Sequence, residues 1–207
     1  GLQDIVKDGL TKVFVNAKVR VDHDLLASAY STYTGEPAIT CIIGTGSNSC
    51  YFDGNEVSEV VPALAYILGD EGSASYIGKR LVSDFLYKKL PQEMADDFFN
   101  TYQLDKDEII TSVYNKPNAN VYLASFSRFA GKHMNTTYVQ DIIREGFSKF
   151  ADIHIACFEN CREVPVHFVG SVGAIFQDIL LEVLEERGMK LGQILRKPVD
   201  GLIKYHL

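Results

Sequence analysis

The period of the apolar pattern changes several times along the chain, and each change marks an element. Over residues 17–21 small or apolar positions alternate with Lys18 and Arg20, which predicts a half-buried strand, and the helical spacing over 25–33 predicts a short helix directly after it. Asp24 stands at their junction, and strand alternation would point Asp22 and Asp24 to one side. The β-branched run Ala38-Ile39-Thr40-Cys41-Ile42-Ile43 predicts a strand buried on both faces. The glycine turn Gly44-Thr45-Gly46-Ser47-Asn48 follows, and Ser49-Cys50-Tyr51-Phe52 returns from it. Asp53-Gly54 is a turn signal before a third strand over 56–61, so the region predicts an antiparallel meander headed by a glycine hairpin.

Gly69-Asp70-Glu71-Gly72-Ser73 breaks this pattern, and 74–86 carries helical spacing with Ser73 or Asp70 available as its cap. Further helices are predicted over 93–102, 106–114, 121–133 and 138–157, separated by Pro91, Leu104-Asp105 and Asn115-Lys116-Pro117-Asn118. A strand over 164–169 ends in Gly170-Ser171-Val172-Gly173 and leads into an amphipathic helix over 174–187, which Gly188 stops. A short strand over 191–195 and a turn through Pro198 and Gly201 close the chain. Strands at both ends with helices between them indicate an α/β layer architecture. The sheet-forming core comes from about 20–72 and 164–195, and a mainly helical layer from about 73–160.

Composition narrows the function. With 207 residues, 46% hydrophobic and 23% charged, the chain is globular in type. Its formal charge of −7 argues against nucleic acid, whose partners carry a basic stripe, and Lys88-Lys89 and Arg196-Lys197 read as solvated surface. No apolar run approaches the roughly 20 residues a membrane span needs, and the amino end has no signal-like stretch, so no membrane partner and a cytoplasmic location are expected. The chain opens on Gly1 rather than methionine, which leaves an upstream segment open. Cys41, Cys50, Cys157 and Cys161 read as reduced thiols. The His154, Cys157, Cys161 group lacks the paired spacing of a zinc site, and no metal ligand is assigned in this chain.

Four places could carry chemistry. Two glycines let the amides of the 44–48 turn converge on an anion, with Thr45, Ser47 and Asn48 adding hydroxyls and an amide, although a tight hairpin explains them equally. The turn joins two strands, unlike the Walker A and Rossmann loops, which open helices. Asp24 suits a general base, or a helix cap. Asp70 and Glu71 could accept hydrogen bonds from substrate hydroxyls, or cap a helix. At Gly170-Ser171 small residues would let an adenosine lie against the backbone, and close packing of strand on helix is the alternative.

Taken together, Val21-Asp22-His23-Asp24, Ile43-Gly44-Thr45-Gly46-Ser47-Asn48, Leu68-Gly69-Asp70-Glu71-Gly72-Ser73 and Val169-Gly170-Ser171 resemble, in order and spacing, the N-acetylglucosamine kinase-like branch of the BadF/BadG/BcrA/BcrD ATPases. The resemblance implies an actin-like, ribonuclease H-like fold and ATP-dependent phosphorylation of an amino sugar. By it Asp24 is the general base, Gly44, Thr45, Gly46 and Ser47 hold the ATP phosphates, and Gly170 and Ser171 border the adenosine. Asn48, Asp70 and Glu71 lie on the sugar side, Mg²⁺ accompanies ATP, and a homodimer is an assembly the resemblance allows. The family's first phosphate loop has no equivalent before Asp24, so the chain is expected to be the C-terminal part of an actin-like kinase, inactive alone. Ala63-Leu64-Ala65 stands where animal members have Gly-Trp-Gly, which removes an aromatic sugar contact. The rivals are an iron–sulfur activator ATPase, whose Cys-Ala-Ala-Gly context none of the four cysteines has, and a non-catalytic sugar or nucleotide sensor.

Overall fold

A computed structural model describes residues 2–207. An exposed helix, α1 (Leu2–Val13), opens it, and its apolar positions Ile5, Val6, Leu10 and Val13 recur at helical spacing that the strand-oriented reading passed over. Residues 17–21 do not form the expected strand. Their alternation is real, but no strand among the described residues lies beside them to take their backbone groups, and 18–21 instead run against Gln3, Asp4 and Lys7 of α1. Asp22 is therefore not aligned with Asp24 on a strand; it forms an ion pair with Arg20 at 2.8 Å and accepts the His23 amide at 3.1 Å. Arg20 and that amide hold the Asp22 carboxyl below the usual carboxylate range.

The helix expected next is α2 (Asp24–Thr32), capped by His23, whose Nδ1 accepts the Leu26 amide at 3.3 Å. Asp24 begins the helix and does not cap it. A loop over 33–37 reverses the chain into β1 (Ala38–Ile43), which pairs antiparallel with β2 (Ser47–Phe52) and, beyond it, β3 (Val57–Ser58). The third strand is shorter than the expected 56–61 because only Tyr51 and Phe52 offer it partners. The turn between them holds by its side chain: Asp53 Oδ1 accepts the amides of Asn55 and Glu56, both at 2.7 Å.

After the short α3 (Ala65–Leu68) comes the helical layer: α4 (Ala74–Leu86), α5 (Gln92–Tyr102), α6 (Lys106–Tyr114), α7 (Ala119–Ser125), α8 (Ser127–Lys132) and α9 (Thr137–Phe150). The single helix expected over 121–133 breaks at Phe126, whose ring turns inward against Phe98 at 5.5 Å and Tyr102 at 4.8 Å. The helix expected over 138–157 ends in a π-helical turn, Ala151–Ile155, closed by the Ala156 amide on the Ala151 carbonyl at 2.8 Å. Then β4 (Pro165–Val169), α10 (Ser171–Ile175), α11 (Gln177–Glu185) and β5 (Lys190–Leu195) follow, α10 and α11 replacing one expected helix because buried Phe176 interrupts it. The turn expected through Pro198 and Gly201 is a helix, α12 (Val199–His206), which packs on α2 with Tyr205 stacked on Tyr30 at 4.3 Å.

The sheet runs β3-β2-β1-β4-β5, with β4 parallel to both β1 and β5. Alternation along β1 divides its side chains between two layers. Ile39, Cys41 and Ile43 enter the large core under α4, α9 and α11, while Ile42 packs with Leu25, Ala29, Cys50 and Phe52 beneath α2. Burial lifts the Cys50 thiol to about 12, so it packs as a neutral side chain. Because β1 and β4 are parallel, their carboxyl ends share one edge of the sheet, and the chain leaves that edge at Gly44 and at Gly170.

Buried His167 on β4 fixes the irregular register with β5, its Nδ1 accepting the Gln193 amide at 2.8 Å. That ring is thus neutral, with its proton on Nε2, and burial lowers its pKa. The unfolded chain takes up this proton near the ordinary histidine value of about 6.5, so stability is full above it and declines as pH falls, by at most about 1.4 kcal/mol per pH unit. Denaturant titrations from pH 7.5 to 5 are expected to show a smaller acid loss in His167→Asn, whose side-chain oxygen still accepts from Gln193. Parallel losses in both proteins would refute the assignment.

Candidate active site

The glycine turn and the 69–73 junction, 20-odd residues apart in sequence, are interlocked. Ala74 and Ser75, at the start of α4, donate their amides to the carbonyls of Gly44 (2.8 Å) and Thr45 (3.1 Å), and Ser73 Oγ accepts the third free amide, that of Tyr76, at 3.2 Å. Ser73 is thus the cap, and Asp70 is left for another purpose. Asp70 Oδ1 accepts the Ser47 amide at 3.1 Å, and Ser47 Oγ donates to the Glu71 carbonyl at 2.9 Å. A Cβ on Gly46 would stand 2.9 Å from both Asp70 carboxylate oxygens, so glycine is what lets the carboxylate close on the turn.

These bonds decide which groups of the turn face outward. Gly44 donates its amide to Gly46 at 2.9 Å, and both the amide and the hydroxyl of Ser47 are held by residues 70–71. The amides of Thr45 and Gly46 have no partner among the described residues, and Thr45 is exposed. Asn48 is half-buried, with its Oδ1 accepting the Ser49 amide at 2.8 Å and its Nδ2 donating to Glu59 at 3.3 Å.

Asp70 adopts φ +57, a left-handed conformation that aspartate tolerates better than most residues. Burial pushes its carboxyl above the usual range, opposed by the Ser47 amide and reinforced by the neighbouring Glu71 charge. Glu71 Oε2 lies 3.2 Å from His154 Nε2.

Gly170 holds the other side of the site. It has φ +133, and a Cβ there would lie 2.2 Å from the Ile43 carbonyl oxygen, so only glycine lets β4 leave the sheet hard against β1. This approach puts Ser171 and Thr45 on the wall of one groove of about 560 Å³, whose far side is built by α7 and α8. Ser125, Arg128, Phe176 and Arg196 also line it. Neither arginine has an ion-pair partner among the described residues, and Arg196, at the end of β5, makes no hydrogen bond there. Sequence reasoning treated Arg196 as solvated surface and passed over Arg128, since nothing local distinguishes a groove arginine from any other.

Asp24 stands at the start of a helix rather than at the end of a strand. Thr32 and Thr40 hydroxyls meet at 3.0 Å, and α2 runs back along β1 from there. Eight residues of helix span about 12 Å and four of strand about 13 Å, so ideal geometry along the two elements would put Asp24 at about the height of Gly44. Its carboxylate is exposed and engages no other side chain or backbone group among the described residues. Among the described residues no cluster of three or more His, Cys, Asp or Glu side chains is gathered that could hold a metal by itself. Nor is any helix among them long and apolar enough to cross a membrane.

No family model matches the chain, and no curated protein does. Among solved structures, a protein described as a "putative N-acetylglucosamine kinase" from Porphyromonas gingivalis superposes with a TM-score of 0.94 at 35% identity, over 98% of this chain and 72% of its own. The chain belongs to this N-acetylglucosamine kinase-like family. A second protein so described, from Chromobacterium violaceum, shares the fold of this family member at a TM-score of 0.73 and 16% identity, over 100% of this chain and 73% of that one. A ROK family glucokinase from Streptomyces griseus, solved with glucose and AMPPNP, does so at 0.50 and 14%, over 96% and 70%. The architecture of this N-acetylglucosamine kinase-like chain is accordingly that of the actin-like sugar kinases.

Gly170→Ala is expected to lower stability by about 2–4 kcal/mol, since it adds both a backbone clash and an unfavourable φ, whereas exposed Ser171→Ala should stay within about 0.5 kcal/mol. Thermal melting of the two variants checks this, and a Gly170→Ala protein as stable as wild type would remove the close approach as the reason for glycine.

Proposed function

We propose that this protein is an ATP-dependent kinase of an amino sugar hydroxyl, of the N-acetylglucosamine kinase-like branch of the BadF/BadG/BcrA/BcrD ATPases. The observation that carries the reading is the pair of unpartnered amides at Thr45 and Gly46, opening beside a groove that holds Ser171, Arg128 and Arg196. A groove of this size suits a nucleotide. In this reading Thr45 and Gly46 bind phosphate oxygens, Gly44 and Ser47 shape the turn, Gly170 and Ser171 border the adenosine, and the arginines supply positive charge.

The acceptor sugar lies on the opposite side of the turn, where Asp70 and Glu71 accept its hydroxyls and Asn48 supports that wall. Asp24, free at the start of α2, takes the proton of the attacking hydroxyl as the terminal phosphoryl group transfers to its oxygen and ADP leaves. Mg²⁺ would come bound to the ATP phosphates and neutralise their charge. The AMPPNP in the Streptomyces griseus glucokinase supports ATP as donor, and the description of the Porphyromonas gingivalis relative supports N-acetylglucosamine as the first acceptor to try.

A coupled assay of ADP release by the full-length protein across a panel of amino sugars and hexoses tests this. At least one amino sugar is expected to stimulate release, and Asp24→Asn to cut the stimulated rate about 10²–10⁴-fold with little change in the KM for ATP. If no sugar stimulates release, the kinase reading fails, and an undiminished Asp24→Asn rate sinks the base assignment alone. In the same assay Arg196→Ala should raise the KM for ATP by about tenfold while the sugar KM holds, the loss of one exposed charge-assisted contact.

A further inference from the structure

A buried histidine near the site, first met only as part of a Cys-rich group without zinc spacing, touches one of the acceptor-side carboxylates. His154 sits on the π-helical turn, its side chain 4% exposed, with its ring stacked on Phe150 at 5.0 Å and 21°. Its carbonyl accepts the Ser49 hydroxyl at 2.6 Å, which fastens the turn to β2 two residues beyond Ser47. Nε2 lies 3.2 Å from Glu71 Oε2, and no other side chain of the described residues bonds that carboxylate. A carboxylate only accepts, so Nε2 carries the proton of this bond. Nδ1 is buried with no partner.

An unpartnered buried nitrogen is destabilising, because its lost contact with water is not replaced. A residue kept here only to fill space would be better served by an apolar ring, as Phe150 beside it is. What histidine adds over phenylalanine at this place is one N–H aimed at Glu71. We infer that His154 is a positioning residue that locks the Glu71 carboxylate by one oxygen, leaving Oε1 alone to receive a hydroxyl of the acceptor sugar. The inference rests on the proposed placing of the acceptor at Asp70 and Glu71. It assigns a role to the π-helical turn as well: one extra residue per turn brings the ring of His154 round to Glu71, 83 positions earlier in the chain.

The test is steady-state kinetics on the full-length protein with the sugar that stimulates ADP release, each variant being checked by thermal melting. His154→Gln keeps a donor near the Nε2 position, whereas the shorter His154→Asn and the apolar His154→Leu do not. His154→Asn and His154→Leu are expected to raise the sugar KM about tenfold and leave the KM for ATP within about twofold, with His154→Gln returning to within about threefold of wild type. Because His154 acts through Glu71, adding His154→Asn to Glu71→Gln should raise the sugar KM no further. If Glu71→Gln raises the sugar KM and His154→Asn does not, or if Asn and Gln behave alike, the role of His154 falls while the acceptor site stands. If Glu71→Gln leaves the sugar KM unchanged, the acceptor placing itself is wrong. Should His154→Leu not fold, the Asn and Gln variants decide the question by themselves.

Discussion

Two hydrogen bonds at the start of α4 organise the site. By taking the Gly44 and Thr45 carbonyls, the amides of Ala74 and Ser75 turn the oxygen side of the hairpin toward the helix and leave its nitrogen side, at Thr45 and Gly46, facing out. A hairpin left to itself would have no reason to sort its polar groups this way. The same clasp brings Asp70 to Ser47 and closes the free end of α4, so that helix terminus has no amide left to attract an anion of its own. Of these two elements, the turn is the one that keeps open amides.

How far the molecule could be read from its sequence depends on how local each cause is. The runs that became β1 and α4, the turn at Asp53-Gly54 and the stop at Gly188 are set by neighbours within a few residues, and pattern recovers them. Residues 17–21 alternate as a strand does, yet a strand exists only if another lies beside it, and alternation carries no information on that. The tail through Pro198 and Gly201 reads as a turn by its residue types, and becomes α12 because Tyr205 finds Tyr30 on α2. The motif glycines were conspicuous, but the reasons for them, the Asp70 carboxylate against Gly46 and the Ile43 carbonyl against Gly170, are contacts across the fold. Arg128 was passed over, and Arg196 and His154 were noticed but read as surface and as part of a cysteine group, for the same reason.

The charge distribution adds a further layer. The chain is acidic overall, with a formal charge of −7, yet two arginines without ion-pair partners among the described residues meet at one groove. These two uncompensated positive charges give the groove a local field opposite in sign to the net charge of the chain. Net charge and local charge thus act as separate filters on what approaches the protein.

The turn also serves as a ruler. The outward amides of Thr45 and Gly46 and the Ser47 amide held by Asp70 belong to three consecutive residues, so the two sides of the site are separated by about 7 Å of covalent backbone. Whatever sits on one side is kept in register with whatever sits on the other by bond lengths, not by a hinge or by the packing of distant layers. Breathing of the helical layer can open or narrow the groove without changing that spacing.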